Sequence, residues 1–157
     1  MKIAITGHRP ERLNGHEQEI RNWIDEFLLK NEVTAMYNGM AQGVDQICAM
    51  SAVKNDVPLI ICYPYKKTSF HSLEEFLMDN ATEIKFISEK YSKQSYYIRD
   101  KYMVDHCDVL LAVWDGKKVG GTWLTVKYAQ SIGKEIVFFP QSILTRVRLK
   151  LNNLFFY

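Results

Sequence analysis

The stretch KIAITGHRP, residues 2–10, decides the fold. Its first part, Lys2–Thr6, is an apolar run of strand length that ends directly at a glycine. A run that is continuously apolar, rather than alternating, is typical of a parallel strand buried on both faces. Five further runs of strand length follow it: Val33–Asn38, Val57–Tyr63, Glu83–Ile87, Asp108–Trp114 and Glu135–Phe139. We therefore predict six strands.

Segments with helical periodicity lie between these runs. Apolar stripes cover Ile20–Leu28, Val44–Ala52 and Thr125–Ile132, and residues 96–103 also resemble a helix. Strands that alternate with helices pair in parallel through right-handed crossovers. The pattern thus predicts a single Rossmann-like, doubly wound α/β domain with a mainly parallel sheet flanked by helices.

Length and composition fit one domain over residues 1–157. The chain has 157 residues, of which 47% are hydrophobic, which suffices for one buried core and is too short for two. From about residue 142 we expect a short helix capped by Ser142 and carrying apolar residues up to Leu151, followed by an apolar end at Leu154–Tyr157. That end packs on its own domain or forms a dimer contact.

Charge and apolar content exclude several classes of protein. Twenty basic and eighteen acidic residues leave a formal charge of +2, so nucleic acid is an unlikely partner. No apolar run approaches the roughly 20 residues that span a bilayer, and the start is too short for a signal peptide, so we expect a cytoplasmic protein without membrane contact.

The cysteines and histidines do not suggest a metal site. Cys48, Cys62 and Cys107 are widely spaced within apolar stretches, which is typical of reduced core thiols. Cys107 stands between a histidine and an aspartate, but adjacent residues point in different directions and do not form a catalytic array. His16 and His71 have no ligand spacing with other metal-binding side chains.

Glycines cluster where the predicted strands end. The turns are TGHRP (residues 6–10), NGMAQGVD (38–45), WDG (114–116) and GGT (120–122). Ligands of open parallel sheets bind beyond the carboxyl ends of the strands, and a glycine turn before a helix favours a phosphate. The alternative is that these glycines only make tight turns. The chain has no Gly-x-Gly-x-x-Gly after the first strand and no Walker lysine, so neither a dinucleotide dehydrogenase nor a P-loop NTPase is supported.

Charged residues near these turns have two interpretations each. Arg9 is suited to bind a phosphate and His8 to donate to a phosphate or ribose, unless both are solvated loop residues. Arg99 lies on a helix-like stretch where an ion pair with a neighbouring carboxylate is the default role. Asp45 lies at the start of a predicted helix, where it stabilises the helix dipole if it does not contact a ligand.

Taken together and in order, these motifs resemble the YpsA-like family of bacterial and phage proteins. The resemblance rests on the four turns, on CYPY (residues 62–65) and on RDKYMVD (99–105), and runs from about Lys2 to Phe139. That family belongs to the SLOG superfamily of Rossmann-like domains, named for the Smf/DprA and Lonely guy proteins. The resemblance implies a nucleotide or nucleotide-derived ligand, such as an ADP-ribose-like molecule, with no further cofactor. The residues implied to hold it are Gly7, His8, Arg9, Gly39, Met40, Ala41, Gly43, Asp45, Pro64, Arg99, Gly120, Gly121 and Thr122.

Lonely guy enzymes cleave the N-glycosidic bond of nucleoside monophosphates, and their signature is only partly present. Arg99, Met103 and Asp108 match it, whereas Trp114-Asp115-Gly116 replaces Pro-Gly-Gly and Thr125 stands at the position of the catalytic glutamate. Threonine neither stabilises oxocarbenium-like charge nor activates water well. If the chain is an enzyme, Arg99 would fix the phosphate and Asp115 or Asp45 would act as the acid/base.

Three functions follow from the resemblance. The first is a nucleotide-binding sensor or sequestering module, and the second is a nucleotide hydrolase of the Lonely guy type. The third is binding of single-stranded DNA, as on the DprA side of the superfamily, with tyrosines and tryptophans as stacking platforms. Trp23 and Tyr128, however, lie on apolar helix stripes and are expected in the core. Many superfamily members are dimers, so the resemblance also implies a homodimer.

Overall fold

The six apolar runs form six strands of one sheet in the computed structural model, which describes residues 1–146. The strands are β1 (Lys2–Gly7), β2 (Ala35–Asn38), β3 (Leu59–Tyr63), β4 (Glu83–Phe86), β5 (Val109–Val113) and β6 (Glu135–Phe138). Their order across the sheet is β4-β3-β2-β1-β5-β6, and all neighbours are parallel. The predicted Rossmann-like α/β fold is confirmed.

The burial of the strands explains why their sequences are continuously apolar. All five residues of β5 are buried, and so are all four of β2, because helices cover both faces of the sheet there. The edge strands β4 and β6 instead leave their first and last residues exposed. The chain thus places its most apolar runs at the centre of the sheet.

Within the described residues, six helices connect or follow the strands. They are α1 (Glu17–Lys30), α2 (Val44–Lys54), α3 (Ser72–Asp79), α4 (Ser95–His106), α5 (Gly121–Ser131) and α6 (Gln141–Leu144), with a 3₁₀ turn at Pro10–Arg12. The periodicity did not predict α3. Its two buried residues are Glu74 and Leu77, while Leu73 and Phe76 are exposed, so hydropathy and burial disagree along this helix.

The helices form a layer on each face of the sheet. Ile24 of α1 and Val44 of α2 pack with Leu77 of α3 in one core cluster, which also receives Ile3 and Ile5 of β1. Alternate strand residues face the second cluster, where α4 and α5 contribute their buried side chains. The carboxyl ends of the central strands therefore open between two helical layers.

The carboxyl-terminal expectations are only partly covered by the described residues. Ser142 does not cap the last helix, because α6 begins at Gln141 directly after Pro140 and Ser142 lies inside it. Proline fixes its own φ near the helical value and so starts a helix without a side-chain cap. The expected helical continuation to Leu151 and the apolar end at Leu154–Tyr157 lie outside the described residues.

All three cysteines are free and buried, as expected. Burial raises the pKa of Cys107 to about 11 and that of Cys62 to about 12, and it also raises the pKa of Cys48. A thiol that stays protonated at neutral pH is a poor nucleophile. Within residues 1–146, no helix is long and apolar enough to cross a bilayer.

Candidate functional site

The strand order reverses between β1 and β5, and a cavity of about 430 Å³ lies at the carboxyl end of β1. At this point the two crossovers leave the sheet toward opposite faces, which opens a crevice. The lining residues come from the loop after β1, the starts of α2 and α5, and one face of α4. They are Ile5, Thr6, Gly7, His8, Arg9, Glu11, Arg12, Ala41, Asp45, Tyr96, Arg99, Asp100, Gly121 and Thr122.

Close packing between two loops explains the glycines after β1 and β2. A Cβ on Gly7 would lie 2.5 Å from the Cβ of Val44, and one on Gly43 would lie 2.5 Å from the carbonyl oxygen of His8. Gly43 also has φ +97°, a left-handed conformation that disfavours other residues. A Cβ on Gly39 would meet the Arg99 guanidinium at 2.7 Å. For Gly39 and Gly43, the simpler interpretation of tight turns and close packing is the better one.

His8 ties the loop after β1 to the loop after β5. The backbone N–H of Asp115 donates to His8 Nε2 at 3.0 Å, so the proton of the neutral ring lies on Nδ1. Burial lowers the pKa of His8, and the nearby Arg12 lowers it further. Because its pKa lies below the ordinary value, His8 is a neutral side chain near neutral pH, and it lines the cavity.

Asp115 is engaged elsewhere and does not line the cavity. Arg12 donates to both carboxylate oxygens, from Nη2 at 2.9 and 2.8 Å and from Nε at 3.0 Å, and the Lys117 N–H donates at 3.0 Å. Burial alone would raise the pKa of Asp115, but the Lys117 N–H and Arg12 hold it below its ordinary value. An ionised, saturated carboxylate is a poor acid/base, so the geometry disfavours the catalytic role considered for Asp115.

Arg99 is buried, and its guanidinium group hydrogen-bonds to other residues through two of its three nitrogens. Its Nη1 donates to the carbonyl oxygens of Gly39 at 2.8 Å and Cys62 at 3.0 Å, which fixes the ends of β2 and β3. Its Nε donates to Asp100 at 2.7 Å, the ion pair with a neighbouring carboxylate that the sequence favours. Nη2 has no hydrogen-bond partner among the described residues, so two donors are left for a ligand.

Three carboxylates line this cavity, those of Glu11, Asp45 and Asp100. Asp45 is buried at the start of α2 and accepts a hydrogen bond from the Ala41 N–H at 3.2 Å. Burial raises the pKa of Asp45 to about 7, although Arg99 opposes the shift. Burial likewise raises the pKa of Asp100 despite its pairing with Arg99.

Sequence reasoning missed Asp100. The hydroxyl of Thr125, at the position of the Lonely guy glutamate, donates to Asp100 at 3.1 Å and to the Gly121 carbonyl at 2.9 Å. Asp100 of α4 thus places a carboxylate beside Thr125, whose own side chain has none. The only available signal was that Asp100 follows Arg99 within the RDKYMVD motif.

The amino terminus of α5 opens into the cavity. Gly120 precedes it with φ +93° and no side chain caps the helix. Gly121 and Thr122 line the cavity, and a Cβ on Gly121 would meet nothing within 4 Å. The free N–H groups of the first turn therefore face open space, which favours an anion.

A second, smaller cavity of about 190 Å³ adjoins the first. It contains the predicted residues Gly39, Met40, Ala41 and Pro64, and it shares Arg9, Ala41, Tyr96 and Arg99 with the first cavity. Met40 adopts φ +61° because its N–H donates to Asn38 Oδ1 at 2.8 Å. Arg9 is exposed and, within residues 1–146, forms no ion pair.

The predicted site residues thus fall into three groups. Those that line a cavity are Gly7, His8, Arg9, Gly39, Met40, Ala41, Asp45, Pro64, Arg99, Gly121 and Thr122. Gly43 and Gly120 line neither cavity, and Asp115 belongs to the ion pair with Arg12. In the part of the chain that the structure describes, no cluster of His, Cys, Asp or Glu could hold a metal ion.

The family model described as DNA recombination-mediator protein A matches residues 1–154, almost the whole chain. The chain belongs to this family. Among curated protein sequences, none is similar enough to the chain to count as a match.

Solved structures of the recombination-mediator family share the fold. DNA processing protein A (DprA) from Streptococcus pneumoniae has a TM-score of 0.73 at 21% identity, over 92% of this chain and 52% of that chain. DprA from Helicobacter pylori, described with a single-stranded DNA binding mode, has a TM-score of 0.65 at 23% identity, over 90% of this chain and 66% of that chain. The chain therefore spans about half the length of the S. pneumoniae protein.

A protein that carries a cofactor also shares this fold. The molybdenum cofactor carrier protein from Chlamydomonas reinhardtii has a TM-score of 0.63 at 17% identity, over 87% of this chain and 74% of that chain. The recombination-mediator family and this carrier are both Rossmann-like proteins of the SLOG type, which confirms the broader part of the resemblance. The expectation that nucleic acid is an unlikely partner is not confirmed, because near-balanced charge does not exclude it for a member of this family.

Proposed function

We propose that the crevice between β1 and β5 binds a nucleotide or nucleotide-derived ligand through its phosphate. One observation carries this proposal: a cavity of about 430 Å³ is lined by three sets of donors without protein partners among the described residues. They are the guanidinium of Arg9, Nη2 of Arg99 and the uncapped first turn of α5. The volume lies within the range of about 300–1,000 Å³ that is usual for small-molecule sites.

The donors and the acceptors of the cavity suit different parts of a nucleotide. Guanidinium groups and helix amino termini bind phosphate oxygens with charge-assisted hydrogen bonds. Carboxylates such as Asp45 and Asp100 are suited to accept hydrogen bonds from ribose hydroxyls, as acidic residues do in other Rossmann-like sites. A ligand with its phosphate at the start of α5 and its ribose toward α2 would bond to both the donors and the carboxylates.

The first test is a thermal-shift screen against nucleoside mono-, di- and triphosphates, cyclic nucleotides and ADP-ribose. Ligand at a hundred times Kd stabilises the folded state by about 2.7 kcal/mol, which corresponds to a shift on the order of 5–10 °C. Arg9→Ala should abolish the shift, and so should Gly121→Asp, because the new side chain has room but carries the wrong charge. Arg21→Ala, an exposed arginine on α1, is the matched control. Absence of a shift with every compound would refute the proposal.

A hydrolase is the second candidate, and Asp45 is the observation that favours it. A carboxyl with a pKa of about 7 in a ligand cavity is matched to general acid/base catalysis near neutral pH. Asp45→Asn would then abolish turnover of a bound nucleotide and spare its binding. Asp115→Asn would leave turnover intact, since Asp115 lies outside the cavity. Unchanged release of base by the Asp45→Asn variant would exclude this role.

Single-stranded DNA is the third candidate, supported by the relative from H. pylori and by exposed rings near the cavity mouth. Tyr91 is 64% exposed and Tyr96 is 45% exposed, whereas Trp23 packs edge-on against Phe139 at 5.6 Å. Stacking platforms would therefore come from the loop before α4 and from the first turn of α4 rather than from the core. Fluorescence anisotropy with an oligothymidylate at physiological salt tests this, and complete loss of binding there would leave only non-specific attraction.

We infer further that the chain belongs to the YpsA-like branch, with one domain over residues 1–157 and a homodimeric assembly. The order of the motifs supports the branch, and the span of about half of the S. pneumoniae chain is consistent with a single domain. Exposed apolar side chains on α5 and β6, such as Leu124 and Phe138, offer a surface for a second copy. Light scattering at micromolar concentration decides the oligomeric state.

A further inference from the structure

The second cavity is too small to be a ligand site of its own. Its volume of about 190 Å³ falls below the roughly 300 Å³ at which whole-ligand pockets begin. It shares Arg9, Ala41, Tyr96 and Arg99 with the first cavity, so the two form one continuous trough. The second cavity therefore has room for only part of a ligand, and it adjoins the cavity at the carboxyl end of β1.

Fixed aromatic side chains form the wall of this subsite. The ring of Tyr65 makes edge contacts with Tyr91 at 5.5 Å and with Tyr96 at 6.2 Å, with interplanar angles of 81° and 82°. Tyr65 and Tyr96 both line the cavity, and their rings are nearly perpendicular to each other. The guanidinium of Arg99 lies 5.7 Å from the Tyr96 ring centre, so Tyr96 stands where the two cavities meet.

Tyr63 also lines the cavity, but its ring faces are occupied. Phe86 stacks on it at 5.7 Å with an interplanar angle of 16°, and the Lys67 ammonium lies 5.0 Å from the ring centre. Its hydroxyl donates to the buried Glu74 at 2.7 Å. The rings open to a ligand are thus those of Tyr65 and Tyr96.

Two uncharged amide side chains, those of Gln42 and Gln46, also line the subsite. Lys67 lies 2.9 Å from Glu74 and neutralises it. Gln42 is exposed, and Gln46 Nε2 makes only a long hydrogen bond of 3.4 Å to the Met40 carbonyl. The amides of Gln42 and Gln46 each offer a donor and an acceptor, the combination that a heterocyclic ring edge requires.

We propose that this second cavity receives the nucleobase of the ligand, stacked on Tyr65 or Tyr96 and contacted at its edge by Gln42 or Gln46. The proposal rests on the proposed function and assigns the ligand class more narrowly. The ligand is a nucleotide with an intact base, and not a sugar phosphate or a free phosphate. A planar ring with polar edges fits walls that are aromatic and amide-bearing, whereas a sugar or a second phosphate would leave the rings unused.

Calorimetric titration with ribose 5-phosphate and with AMP, GMP, CMP and UMP tests the subsite. At least one nucleotide should bind about 5- to 150-fold more tightly than ribose 5-phosphate, the ratio that base stacking on an aromatic ring implies. The Tyr65→Ala variant should lower that ratio toward one and leave the affinity for ribose 5-phosphate unchanged, because Tyr65 lines only the second cavity. Tyr65→Phe should retain the ratio, and Tyr97→Ala is the matched control, because Tyr97 is exposed on α4 outside both cavities.

The outcomes separate the two proposals. Equal affinity of wild type for ribose 5-phosphate and for all four nucleotides would overturn the base subsite and leave the phosphate site standing. Equal weakening of ribose 5-phosphate and nucleotide binding by Tyr65→Ala would also overturn it, because the Tyr65 ring would then only support the fold of its loop. No binding of any compound would overturn both the proposed function and the subsite.

Discussion

Replacing Asp45 by asparagine should change how stability depends on pH. Asp45 is buried, and burial raises its pKa from 3.8 to about 7, so between these values the folded state binds a proton that the unfolded state lacks. Stability therefore falls as pH rises through this window. From pH 5 to pH 8 the wild type should lose about 2.5 kcal/mol relative to Asp45→Asn, at 1.36 kcal/mol for each pKa unit.

The assay is urea unfolding of both proteins at pH 5 and pH 8, with the difference in free energy of unfolding compared between the two pH values. Asparagine keeps an oxygen that can accept the hydrogen bond from Ala41, so the substitution removes the charge with little change in shape. Asp25→Asn is the matched control. Burial would raise the pKa of Asp25, but hydrogen bonds from Ser51 and Lys54 lower it, so it is ionised throughout this range. The free energy of unfolding of the wild type minus that of Asp45→Asn should change between pH 5 and pH 8. A change in this difference of less than about 0.5 kcal/mol would refute the reasoning.

Further perturbations test the loops and the core. Gly43→Ala forces a Cβ to 2.5 Å from the His8 carbonyl at φ +97°, and urea unfolding should show a loss of about 2–4 kcal/mol; a loss under 1 kcal/mol would contradict the packing described. Arg12→Ala removes the hydrogen bonds to Asp115 and should lower the free energy of unfolding by about 1–2 kcal/mol in the same assay. An unchanged free energy of unfolding would contradict a stabilising role for this ion pair. The three buried thiols should react with Ellman's reagent at pH 8 only after unfolding, and rapid reaction of any native thiol would show that it is accessible.

The fold could be predicted from the sequence because its signals are local. Residues 109–113 are apolar at every position, and a strand covered on both faces requires this pattern. The stripe along α1 is equally direct, since Ile20, Ile24 and Leu28 are the residues it buries. The apolar pattern did not predict helix α3, because the helix buries Glu74, which pairs with Tyr63 and Lys67, and exposes apolar side chains instead.

The site could be predicted only in part, because pairing between loops is not visible in the sequence. The turns after β1 and before α5 were placed correctly, since parallel strands end at one edge of the sheet. The geometry disfavours the catalytic role considered for Asp115, because Arg12, 103 residues away in the sequence, hydrogen-bonds to its carboxylate. Asp100 and Tyr65 were overlooked for the same reason, because their importance depends on Thr125 and Tyr96, which they meet only in the folded chain.

The most direct test of the nucleotide site is an NMR titration of the ¹⁵N-labelled protein with the best ligand of the thermal-shift screen, or with ADP if none stands out. The account predicts saturable shifts of the backbone amides of Gly7, Gly121 and Thr122, with the side-chain Nε signal of Arg99 moving in parallel. The amides of α1 beyond Glu19 should stay unchanged. Shifts confined to another surface, or none at millimolar ligand, would contradict a phosphate site at the carboxyl end of β1.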